Sequence, residues 1–253
     1  MREPVIAHDA AFETIGDPDS PVGLVFTCEH ATNALPEWTA EPADLPLLFD
    51  HWGFDIGAAA LTRRLVAETG GVGVLSRFSR LVCDPNRAPD DPTFVVERIG
   101  RRVLSWNRGV DDRERRRRRE RYYAPYHAEI DRILETRLAA GRPTRLCSIH
   151  SFTPRLEGAL RPMEIGVLYD AHEALAARTE RALREAGFHT AANEPYSGYA
   201  GLIHAARRHG RRHGIVYLEL EVRQDLLETP EAAARIAHRM APALADFASA
   251  PGA

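Results

Sequence analysis

Four times in this chain a short apolar run breaks off into ionisable side chains. Gly23-Leu24-Val25-Phe26 leads into Thr27-Cys28-Glu29-His30, and Leu81-Val82-Cys83 leads into Asp84-Pro85-Asn86-Arg87. Leu146-Cys147-Ser148-Ile149 ends in His150, and the run from Ile215 to Leu220 ends in Glu221. Apolar runs this short read as buried strands. A further run, 164–170, has the same character. Helical spacing fills the stretches between, at about 55–68, 111–140, 172–186, 200–213 and 230–247. Strands alternating with helices predict an α/β fold, a three-layer α/β/α sandwich with a mostly parallel mixed sheet. In open α/β sheets, ligands bind beyond the carboxyl ends of the strands, so the polar strand ends are expected to share one site.

A length of 253 residues, with no repeat and no clear linker, fits a single domain over 1–253. Residues 1–21 read as a leading arm and residues 90–110 as a flap over the site. No apolar run approaches the roughly 18–20 residues of a membrane span, and the first residues lack the apolar core of a signal peptide. The expected location is the cytoplasm, away from membranes. Cys28, Cys83 and Cys147 are odd in number and lie in or near apolar runs, which predicts buried thiols and no disulfide framework. All 33 basic residues are Arg. Without Lys, a Schiff base, a pyridoxal-phosphate linkage and a P-loop are excluded. A net charge of −3 gives no electrostatic reason to bind nucleic acid. The run Arg115 to Arg119 therefore reads as a solvated helix face, and so does the His204, His209, His213 series among its arginines. Pro125 is expected to kink the 111–140 helix or to start a new one.

Two histidines and a carboxylate with an open coordination position make a catalytic zinc site. A second carboxylate nearby can act as general base, and an Arg can bind a substrate carboxylate or stabilise an oxyanion. His30, His150, Glu221, Asp84 with Asn86 and Arg87, and Asp55 at a helix start supply that inventory. It fits metal-assisted hydrolysis of an amide.

CEHATN after a strand, then HWGFD, SRLVCDPNR, SIHSFTP, NEPYSGY and LELEVRQDL in that order, resemble the N-formylglutamate amidohydrolase family over about residues 22–230. The resemblance implies a fold of the zinc exopeptidase, phosphorylase/hydrolase-like kind. It also implies hydrolysis of N-formyl-L-glutamate to formate and glutamate in histidine degradation. The implied cofactor is one Zn2+ and the implied partner a small acidic N-acyl amino acid. Within it, His30 and His150 match the metal histidines and Glu221 the general base. Asn86-Arg87 matches a pair that holds a substrate carboxylate, with Arg80, Tyr196 and Ser197 as further substrate contacts. Carboxypeptidase-like enzymes carry a glutamate ligand three residues after the first histidine, where this chain has Asn33. Asp55 is the expected replacement and Glu29 the reserve.

Each of these residues also has a structural reading. Asp55 can cap a helix, Glu221 can pair with Arg223, Arg87 can pair with Asp84, Arg80 can serve a structural ion pair, and Pro195-Tyr196-Ser197-Gly198 is ordinary turn composition.

Overall fold

The computed structural model describes residues 11–250. The first ten residues of the expected leading arm lie outside the described residues. The arm's next stretch is a strand, which the sequence reading missed. Seven strands form one sheet: β1 (Phe12–Gly16), β2 (Leu24–Cys28), β3 (Val72–Ser76), β4 (Arg145–Phe152), β5 (Ile165–Leu168), β6 (Thr190–Ala192) and β7 (Val216–Arg223). Their spatial order is β1-β3-β2-β4-β7-β5-β6. The central strands β3, β2, β4 and β7 are parallel. β1 pairs antiparallel with β3, β5 pairs antiparallel with β7, and β6 runs parallel to β5. The sheet is mixed and mostly parallel, as expected.

The longer α-helices are α1 (Ala58–Thr69), α2 (Asp112–Arg118), α3 (Ala124–Ala139), α4 (Glu173–Glu185), α5 (His204–His213) and α6 (Pro230–Ser249). α1, α4 and α6 pack on one face, where Leu61, Leu65, Leu183 and Met240 meet Phe26, Ile149 and Leu220. α3 and α5 cover the other, where Ile130, Ile133 and Ala206 meet Val25, Leu146 and Tyr217. None of the helices of the described residues is long and apolar enough to cross a membrane.

This division of faces positions the site. Side chains alternate along a strand, so residues two apart share a face. Leu146 and Tyr217 face α3 and α5, and therefore so do Ser148 with His150 and Glu219 with Glu221. The register of β4 and β7 sets Ser148 beside Glu219 and His150 beside Glu221. One face of the sheet is thus apolar through the middle and ionisable at its carboxyl end.

Three expectations need correction. Leu81-Val82-Cys83 is buried, but it is a turn and not a strand. Its carbonyls are satisfied by side chains: Asn107 Nδ2 donates to Leu81 O at 2.8 Å and Arg118 Nη1 to Val82 O at 2.9 Å. Arg118 is accordingly buried, unlike its neighbours in the Arg run. The His204, His209, His213 series is not a solvated face, because His209 is fully buried against α3. Pro125 lies in the first turn of α3, and a π-helical turn, Arg119–Tyr123, joins it to α2. All three cysteines are free and buried.

Candidate active site

His30 follows β2, Asp55 precedes α1, and His150 and Glu221 lie in β4 and β7. The backbone ties two of them: Asp55 N donates to His30 O at 3.0 Å. Asp55 sits in a turn closed by Gly57, whose φ of +83° is left-handed. A Cβ at Gly57 would come within 2.3 Å of Leu227 Cβ, so a side chain is excluded by both conformation and space.

The side chains converge on one carboxylate oxygen. Asp55 Oδ2 lies 2.7 Å from His150 Nδ1 and 3.3 Å from His30 Nδ1. The two imidazoles meet edge to face with centroids 4.8 Å apart. Each ring is anchored through its other nitrogen. His30 Nε2 lies 2.8 Å from Asp84 Oδ1, and His150 Nε2 lies 3.0 Å from Glu29 Oε2. The anchors are themselves held: Arg80 Nη2 donates to Asp84 at 2.7 Å, while Tyr126 OH and Ser148 Oγ donate to Glu29 at 3.0 and 2.5 Å. A neutral imidazole carries one N–H. In their neutral forms, with both Nε2 atoms donating to carboxylates, the two rings aim Nδ1 lone pairs at an Asp55 lone pair. A cation resolves that conflict, and a histidine whose far nitrogen donates to a carboxylate is the usual way a protein orients a metal ligand. His30, Asp55 and His150 form a group able to hold a metal ion, and its donor set suits zinc.

The charge balance points the same way. Glu29, Asp55, Asp84, Glu219 and Glu221 are all buried around the two histidines. Among the described residues Arg80 is the arginine in ion-pair contact with this group, 2.7 Å from Asp84 and 3.6 Å from Asp55. Burial works against ionisation of Asp55, but the His30 and His150 imidazoles overcome it and hold the carboxyl well below the usual range. Glu29 is likewise opposed by burial and lowered to about 2 by the His150 and Ser148 hydrogen bonds. Burial also opposes a charge on His150, yet the surrounding carboxylates, Glu219 first, raise its pKa well above the imidazole norm.

Glu219 and Glu221 behave differently. Burial pushes Glu219 up to about 8 and Glu221 up to about 7, with His150 opposing in both cases. Glu221 Oε2 is buried with no hydrogen-bond partner. Opposite Glu221 across the β7–β5 pair is Gly166, which adds no side chain there.

His30, Asp55, Asp84, His150, Glu219 and Glu221 line a cavity of about 820 Å³. Arg87, Arg98, Arg155, Arg161 and Tyr196 line it as well, and Val96, Ile99 and Gly100 bring the 90–110 segment to its wall. Arg87 is half-buried on the cavity wall, and its charge adds to that of Arg80 in holding Asp84 below the usual carboxylate range. Arg80 lines the cavity but is engaged by Asp84. Asn86 is a tie: Nδ2 donates to Leu202 O at 3.2 Å and to Glu219 at 3.3 Å, and its Oδ1 accepts from Ala205 N at 2.9 Å. Ser197 does not line the cavity; its carbonyl accepts from Ala200 N in a turn. Sequence reasoning did not single out Glu219, Arg161, Tyr126 or the role of Asp84 toward His30. Glu219 was legible, since it lies two residues before Glu221 and shares its face. Tyr126 was not, because only packing of α3 on the sheet brings it to Glu29.

The sheet, with a cluster of histidines and carboxylates able to hold a metal ion at its carboxyl edge, defines an α/β protein with a metal-type site. The sequence model of N-formylglutamate amidohydrolase matches residues 22–228. The chain belongs to the N-formylglutamate amidohydrolase family. Among solved structures, a gene product of Agrobacterium tumefaciens is 31% identical, with a TM-score of 0.83 over 93% of this chain and 95% of that one. An N-formylglutamate amidohydrolase from Ralstonia eutropha has the same fold at 21% identity, with a TM-score of 0.73 over 94% and 98%. Likeness to a metallo-carboxypeptidase from Burkholderia cenocepacia, 14% identical with a TM-score of 0.39 over 93% and 60%, is too loose to bear weight. No curated protein matches the sequence.

Proposed function

We propose that this chain is a zinc-dependent amidohydrolase of a small acidic N-acyl amino acid, with N-formyl-L-glutamate, cleaved to formate and L-glutamate, as the first candidate. On this reading it serves histidine degradation in the cytoplasm. The observation that carries the proposal is the convergence of His30 Nδ1 and His150 Nδ1 on Asp55 Oδ2, with both Nε2 atoms braced on carboxylates. His30, Asp55 and His150 would hold the ion, which supplies Lewis acidity and a nucleophile at neutral pH.

The chain's own residues divide the remaining work. Glu221, with an unpartnered oxygen and a carboxyl raised to about 7, suits a general base near neutrality. It takes a proton from the attacking water and returns it to the leaving nitrogen. Arg87 binds a substrate carboxylate through its guanidinium fork, and Arg161 and Tyr196, which also line the cavity, contact the substrate. Arg80 and Asn86 keep Asp84 and Glu219 in place.

The cavity favours a second substrate with the same chemistry. Its volume of about 820 Å³ and the apolar rim residues Trp52 and Leu156 leave room for a larger acyl group or a short peptide. Metal analysis of purified protein, with hydrolysis assays on N-formylglutamate and a panel of N-acyl amino acids, tests both. Loss of activity on chelation and in His30→Ala is expected. A metal-free protein whose hydrolysis survives His30→Ala would overturn the metalloenzyme reading.

A further inference from the structure

A second cluster of histidines lies on the far side of the Asp84–Asn86 loop, between α3 and α5. His209 and His213 are one turn apart on α5, and Asp131 faces them from α3. Asp131 Oδ1 lies 2.7 Å from His209 Nδ1 and 2.8 Å from His213 Nε2. One carboxylate oxygen between two imidazole nitrogens is the arrangement of Asp55 with His30 and His150.

The hydrogen-bond directions are set from one end of the chain of rings. His127 Nε2 lies 3.0 Å from Pro85 O, a carbonyl that can only accept, so His127 carries its proton on Nε2. Neutral His127 therefore presents a lone pair on Nδ1. His209 Nε2 lies 2.7 Å from that atom and must donate to it. Neutral His209 is then left with a lone pair on Nδ1, facing the Asp131 carboxylate, which is also an acceptor. Arg208 does not resolve the conflict. Its Nη1 is 3.4 Å from His209 Nδ1 and 3.3 Å from Nε2, so nearly equidistant that it lies along neither lone pair. A positive charge is required between His209 Nδ1 and Asp131 Oδ1.

We propose that His209 Nδ1, His213 Nε2 and Asp131 Oδ1 form a second divalent transition-metal site, distinct from the His30–Asp55–His150 centre. Two histidines four residues apart on a helix, joined by a carboxylate from a facing helix, match zinc in ligand type and number, with one position left for water. The three donors form a compact group. His209 is oriented through its far nitrogen by His127, and His127 by Pro85 O, which supplies the bracing a metal-ligating histidine needs. Arg208 and Arg212 approach the other carboxylate oxygen, Asp131 Oδ2, at 3.6 and 3.2 Å, leaving Oδ1 to the histidines. Glu135 lies 3.5 Å from Arg212, so the two arginines and two carboxylates around the cluster cancel in charge. A cavity of about 420 Å³, lined by Asp131, His127 and Glu135, offers access from solvent.

Zinc titration with calorimetry and metal analysis after dialysis tests the proposal apart from any assay of hydrolysis. Wild-type protein is expected to bind about two ions per chain. The His30→Ala/His150→Ala variant and the His213→Gln variant are each expected to bind about one. Thermal unfolding of each variant verifies that it is folded, and Asp131→Asn serves if His213→Gln is not. Zinc-loaded His30→Ala/His150→Ala should also shift the imidazole resonances of His209 and His213. Overturning results are one ion in wild type with none in His30→Ala/His150→Ala, or a proton retained on His209 Nδ1 at saturating zinc. Absence of amide hydrolysis would refute the proposed function and leave this site standing.

Discussion

Glu221 and Glu29 are both buried glutamates within one site, yet they are driven in opposite directions. Glu29 receives hydrogen bonds from Tyr126 and Ser148 and faces His150, so its charge is stabilised. Glu221 has an oxygen with no partner, so burial dominates. The two should respond differently to removal of their charge. Glu221→Gln is expected to lower kcat by roughly 10²–10⁴-fold while metal content stays unchanged, which steady-state kinetics with metal analysis will read. Glu29→Gln and Asp84→Asn remove carboxylates that brace the histidines. Each should weaken zinc affinity by roughly 10–100-fold, measured against a competing chelator. Arg87→Ala should raise KM for acidic N-acyl amino acids far more than for their neutral amides. Equal effects on both would remove Arg87 from substrate binding.

At the scale of elements, the site depends on where strands stop and helices start. The turn from Asp55 into α1 works because Gly57 adopts a positive φ against Leu227. Gly57→Ala is expected to destabilise the fold by more than about 1 kcal/mol and to weaken metal binding at the same time, since Asp55 moves with the turn. Leu220, between Glu219 and Glu221 on β7, faces the opposite layer and is fully buried. Leu220→Ala should cost about 2–5 kcal/mol in urea unfolding and leave the carboxylates on their own face. The alternation that separates Leu220 from its neighbours was readable in the sequence. The turn at Leu81-Val82-Cys83 was not, because a buried apolar run whose carbonyls bond Asn107 and Arg118 looks the same in one dimension as a strand.

For the whole molecule, the burial of so many carboxylates links stability to pH and to metal. An unfolded glutamate titrates near 4.5, whereas folded Glu221 is raised to about 7. Between those values the folded chain holds more protons than the unfolded one, so the stability of metal-stripped protein falls as pH rises through that window. Glu219, raised to about 8, acts in the same sense. The Glu221 contribution is on the order of 3 kcal/mol. Urea unfolding at pH 5 and pH 8 in chelator should show the decline, and Glu221→Gln should reduce it, leaving the part that Glu219 supplies. A decline unchanged in that variant would assign it to other groups. Zinc that binds only the folded chain adds about 4 kcal/mol at a thousandfold excess over Kd, a rise that thermal unfolding can follow.

Much of this was local information. Apolar runs ending in His30, His150 and Glu221 placed those residues at strand ends, and strand ends in an α/β sheet share an edge. The sequence by itself therefore determined the layers, the edge and three of the principal side chains, because strand and helix periods are properties of neighbouring residues. It also determined which chemistries were absent, since a chain without Lys cannot form a Schiff base. Tertiary structure alone decided that Asp55 meets both imidazoles, that Tyr126 and Asp84 brace the site, and that His209 is buried against Asp131 instead of lying on a wet face. Those contacts join residues far apart along the chain, and they exist only because the helices on both faces of the sheet and the turns beyond its carboxyl edge fix distances that no local pattern encodes.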